Sequence, residues 1–153
     1  MKWFAVWGRV VVVGMLMLSG CGAEPAADPA TVAEIHGLLH KTFDQPDQTL
    51  VLEPTIISGE FAVVDWVQGE FGGRALLRDD PSRGWSVWVC AGDHLKTAKG
   101  MIASGVSEAD ASLMAAQLAK GEARLPKESL AKMSAFLQVM NMQDGSEHPA
   151  PAH

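Results

Sequence analysis

The chain has 153 residues and a formal net charge of −6, from 12 basic and 18 acidic side chains. That length suits one domain with a real core. An acidic chain without a Lys/Arg cluster argues against nucleic acid or an anionic lipid surface as partner, and suits a carrier of cations.

The opening MKWFAVWGRVVVVGMLMLSGC carries Lys2 and Arg9 as its only charges, and residues 10–18 are apolar apart from Gly14. This is a charged n-region and an h-region too short to span a bilayer. Leu18-Ser19-Gly20-Cys21 resembles the lipobox of bacterial lipoproteins, in which the cysteine thiol is lipidated and the chain is cut just before it. The expectation is a lipoprotein signal peptide over residues 1–20 and a periplasmic mature chain anchored through Cys21. Each buried CH₂ of a lipid chain contributes about 0.8 kcal/mol, so two or three acyl chains hold durably. Gly22, in place of an acidic residue, favours the outer membrane. Lipidation of Cys21 leaves Cys90 without an intramolecular disulfide partner, so Cys90 is either buried or reactive.

Residues 21–30 are Ala/Pro-rich and read as a tether. TVAEIHGLLHKTF then starts with Thr31 and places Glu34 three residues on, a capping-box pattern. Val32, Ile35, Leu39 and Phe43 fall on one face, which predicts a helix over 31–43. His36 and His40 lie i,i+4 on its flank. That spacing can present two imidazoles to one metal ion; it equally fits two packed or solvated rings at the helix boundary.

Four strand-like runs follow. LVLEPTII contains Pro54 and suits an edge strand. EFAVVDWVQ is β-branched and apolar on both faces, hence central. RALLRD is a third strand, after a turn bracketed by Gly69 and Gly72-Gly73. WSVWVCA is the fourth, with Trp85, Val87 and Val89 on one face and Ser86, Trp88 and Cys90 on the other. Short connections imply an antiparallel meander.

The remainder reads as helical. HLKTAKGMIASG forms a short helix ending near Gly105. SEADASLMAAQLAKG has Ser107 and Asp110 in capping positions and Gly121 as its stop. Pro126 fits the N1 position of a last helix that turns Leu130, Met133 and Leu137 inward. The sum is an α+β domain over residues 31–143: an N-terminal helix, a four-stranded antiparallel meander sheet and two to three C-terminal helices. A flexible His-containing tail follows over 144–153. Element order alone allows a curved sheet cradling the first helix, as in cystatin-like or NTF2-like folds.

DWVQGEFGGRALLRDD followed by GWSVWVCAGDHL resembles a small bacterial family, the copper uptake system-associated proteins. The residues that carry the resemblance are Trp66, Gln68, Gly69, Gly72, Gly73, Arg74, Trp85, Cys90, Gly92 and Asp93. It runs from about Ala33 to the Met/His-rich end. It implies a place in copper acquisition beside periplasmic copper chaperones and outer-membrane copper receptors, without a catalytic site. The residues themselves also have plain structural uses. The glycines can supply positive φ in a hairpin, the tryptophans can fill the core, and Arg74 can pair with Asp65 or Asp79.

Three residue sets could bind metal. In VMNMQDGSEHPAPAH, Met140 and Met142 offer thioethers suited to Cu(I), and His148 and His153 offer imidazoles suited to Cu(II). On a helix the two methionines point about 200° apart, whereas on an extended segment they share a side. A Met-x-Met clamp therefore requires the last helix to end before residue 140; otherwise Met140 closes the core and the histidines end a tail. Cys90 and His94 form the second set, a soft thiolate and an imidazole at a strand exit, or a nucleophile with its base; a buried, inert thiol is the competing reading. His36 and His40 are the third. The functional expectation is a lipid-anchored accessory protein of copper uptake, not an enzyme. The alternative from another class is a metal-free module that docks a partner protein or a small apolar ligand. A hydrolase built on Cys90 is the third reading.

Overall fold

The computed structural model describes residues 27–143. The signal peptide expected over residues 1–20, Cys21, most of the expected tether, and His148 and His153 lie outside the described residues. The chain is α+β. Helix α1 (Pro29–Phe43) is followed by strands β1 (Val51–Ser58), β2 (Phe61–Gln68), β3 (Phe71–Asp80) and β4 (Gly84–Ala91). A 3-10 turn (Asp93–Lys96) leads to α2 (Ala98–Ala103), α3 (Glu108–Glu122), α4 (Lys127–Ser134) and β5 (Val139–Asn141). The strands make one antiparallel sheet in the order β1-β2-β3-β4-β5.

The sheet has five strands where the sequence predicts four, and it is covered on both faces. Ile35 and Leu39 of α1 pack on Ala62, Val64, Ala75, Leu77 and Cys90. On the opposite face, Met101 of α2 and Ala111, Met114 and Leu118 of α3 pack on Phe61, Val63, Leu76, Val89 and Ala91. This is why β2 is apolar on both faces, as a central strand must be. Pro54 lies on the edge strand as expected, at a register shift between Leu52 and Thr55, because proline cannot donate to the ladder.

Several boundaries move for physical reasons. The first helix starts earlier than predicted: Asp28 is the N-cap, its carboxylate accepting from the Thr31 N–H at 3.0 Å, with Pro29 at the first position. Gly72 and Gly73 belong to β3, and of these three glycines Gly69 alone turns with positive φ. A Cβ on Gly73 would lie 2.8 Å from the Trp66 ring, and one on Gly72 would lie 3.0 Å from the Met133 nitrogen of α4. Those two glycines serve close packing rather than a hairpin. In β4, Trp88 is an extra residue between the pairs Leu76↔Val89 and Leu77↔Val87. The bulge reverses the alternation, so Trp85, Val87 and Cys90 pack toward α1 while Trp88 and Val89 pack toward α3. Gly121 stays within α3, where Pro54 packs against it. Pro126 is the N-cap of α4, and that helix stops at Ser134. Met133 is buried as predicted, but Leu137 is 90% exposed.

Candidate functional site

Because α4 ends early, the segment after it is extended, and the condition for Met140 and Met142 to share a side is met. β5 pairs with β4 in the register Val89↔Asn141, Cys90↔Met140 and Ala91↔Val139. The Met142 N–H extends the ladder, donating to the Trp88 carbonyl at 3.0 Å. Both methionines pack on the α1-side cluster that contains Cys90. Directly opposed residues in an antiparallel pair have Cβ atoms about 4.5–5.5 Å apart. Three sulfur-bearing side chains therefore share one face at the edge of the sheet.

Their environments differ. Met140 and Met142 are half-buried. Cys90 is buried and free, and burial pushes its thiol up from 9.0 to about 12. In this state Cys90 is a small hydrophobe. A soft cation can offset the cost of a buried thiolate, because its own charge neutralises the sulfur; thioethers complete such a sphere without adding charge.

The other candidate pairs are placed differently. Cys90 faces α1, whereas His94 lies in the 3-10 turn on the α2 side, exposed, with its Nε2 3.4 Å from the Ser104 hydroxyl. The two do not meet. His36 Nε2 hydrogen-bonds the Thr55 hydroxyl of β1 at 2.7 Å, and His40 Nδ1 reaches the Asp44 carboxylate at 3.0 Å. Each ring thus has its own protein partner. Burial, and then the neighbouring His40, hold His36 below the ordinary histidine range. Among the described residues, no group of three His, Cys, Asp or Glu side chains could hold a metal ion, so a nitrogen–oxygen cage is not built there. A sulfur set is a different donor class.

Sequence reasoning missed a buried ionic cluster on the other face. Arg74 is fully buried, and its Nε and Nη2 donate to Glu122 Oε1 at 2.8 and 2.5 Å. Its Nη1 reaches Asp93 Oδ1 at 3.3 Å. Asp65, one of the two partners expected for Arg74, lies 3.5 Å from Nε but accepts no hydrogen bond at either oxygen. The signal for Glu122 was present: it continues the inward stripe Ala111, Met114, Leu118 by one more turn, and a charge on an apolar stripe asks for a buried partner.

No family model, no curated protein and no solved structure matches the chain.

Proposed function

We propose that the protein is a lipid-anchored periplasmic accessory protein of copper uptake. In this reading it carries Cu(I) as cargo on Met140 and Met142 above Cys90, and hands it to a periplasmic copper chaperone or an outer-membrane copper receptor. His148 and His153 of the tail are then available to Cu(II). The observation that carries the reading is the register Cys90↔Met140, with Met142 on the same side. The lipobox at Cys21 and the family resemblance support the compartment and the pathway.

Anaerobic Cu(I) titration against a chromophoric chelator tests it. Met140→Leu/Met142→Leu preserves apolar bulk and removes both thioethers, so it should abolish binding with little change in melting temperature. Where Cys90 also ligates, copper displaces a proton held at a pKa of about 12. Apparent affinity then rises about tenfold per pH unit, and Cys90→Ala flattens that slope. Unchanged copper binding in the double variant overturns the site. No Cu(I) binding in the wild type favours the metal-free docking module, for which exposed Leu137, just before β5, and Val139, its first residue, supply an apolar contact surface.

A further inference from the structure

Asp65, Arg74 and Glu122 are the buried charged side chains among the described residues, and the copper site uses none of them. Asp65 stands on β2, Arg74 on β3 and Glu122 in the last turn of α3. Asp93 and Lys96 of the 3-10 turn close the cluster, with Lys96 Nζ 3.5 Å from Glu122 Oε2. The Ser134 hydroxyl of α4 donates to Asp93 Oδ1 at 2.9 Å. One chain of polar contacts thus runs from the sheet through Arg74 and Asp93 to the end of α4, the helix that leads into β5.

The buried charges balance only with a proton: two carboxylates, those of Asp65 and Glu122, face one guanidinium, Arg74, while Asp93 and Lys96 lie at the solvent-exposed rim. Asp65 is 1% exposed, and as a carboxylate its oxygens have no donor, because Arg74 is spent on Glu122 and Asp93. A buried carboxylate that accepts no hydrogen bond is costly even with a guanidinium nitrogen 3.5 Å away. As a neutral acid, Asp65 has an O–H to donate, and the carboxylate beside it is that of Glu122, which accepts at 2.8 Å from the same Arg74 Nε that Asp65 faces at 3.5 Å. We propose that the Asp65 proton is the pin of a clasp that fastens α3, the 3-10 turn and α4 to the sheet, so that rising pH loosens the arm formed by α4 and β5. This does not depend on the copper reading.

The groups acting on Asp65 are burial first, which raises its pKa, then Arg74, which lowers it, Glu122, which raises it, and Lys96, which lowers it; the carboxyl ends at about 8. Opened to water, the group returns to its ordinary value of 3.8. Between those values the closed arm holds a proton that the open arm releases. The stabilisation is complete below about pH 4 and is lost as pH rises through about 8, where the effect levels off. Opening is favoured by up to about tenfold per pH unit across that window.

The test is hydrogen exchange of residues 127–141 in the full chain carrying Cys21→Ser, from pH 5 to 9, with each rate divided by its intrinsic value. Asp65→Asn supplies a permanently neutral, hydrogen-donating side chain. The wild-type opening constant should rise by up to about a thousandfold from pH 5 to 8 and then plateau, while that of Asp65→Asn stays flat. Infrared spectroscopy of the wild type should show a protonated carboxyl stretch at pH 6 that fades through about pH 8 and is missing from Asp65→Asn. Equal pH slopes in the two proteins, or no protonated band at pH 6, overturn the proposal. If Asp65→Asn does not fold, the wild type decides alone: the band and the exchange must titrate over one pH range, and divergence refutes the clasp.

Discussion

Alkylation of Cys90 should be slow in the native protein and should accelerate when β5 is removed. The thiol is 9% exposed, and its pKa is pushed from 9.0 to about 12 by burial. At pH 8 a thiol at 9.0 is roughly one-tenth thiolate, and one at 12 roughly one part in ten thousand, so native-state reactivity falls by roughly a thousandfold. Local opening supplies a second route, and β5 is only a three-residue edge strand whose detachment uncovers the thiol. The observed rate follows the faster route and should lie roughly two to three orders of magnitude below that of the same protein in denaturant. Cys21→Ser makes Cys90 the only thiol, so intact-mass measurement of maleimide addition reads it directly. Truncation after Gln138 deletes Val139–Asn141 and Met142, returns water to the β4 edge and should recover most of the lost rate. A wild-type rate within tenfold of the denatured control would refute the burial argument. A slow rate unchanged by the truncation would refute the claim that β5 is what covers the thiol.

Two further outcomes are expected. Ile35→Asp puts an unpaired charge at a fully buried position between α1 and the sheet, which costs about 3 kcal/mol or more and should unfold a marginally stable domain; an unchanged thermal midpoint would remove that stripe from the core. Cys21→Ser should move the full-length protein from the membrane to the soluble fraction on cell fractionation, and a mutant that still sediments with membrane would end the lipobox reading.

Features whose cause is local could be read from the sequence. The α1 stripe, the four strands of the meander, the Ser107 cap of α3 and the central position of β2 follow from side-chain period and turn chemistry, which act within one element. The burial of Cys90 was also legible, since an apolar strand leaves its small thiol no water. Tertiary structure alone decided the rest. Val-Met-Asn has no period to read; it is a strand because β4 offers an unpaired edge where α4 releases the chain. That pairing puts Met140 opposite Cys90, and the bulge at Trp88 turns Cys90 toward α1. Gly72 and Gly73 look like turn residues until Trp66 and α4 close on them. Arg74 and Glu122 are 48 residues apart, and no local rule joins them. Their pairing, and the proton it imposes on Asp65, arise because helix and sheet exclude water from charges that folding brings into one place.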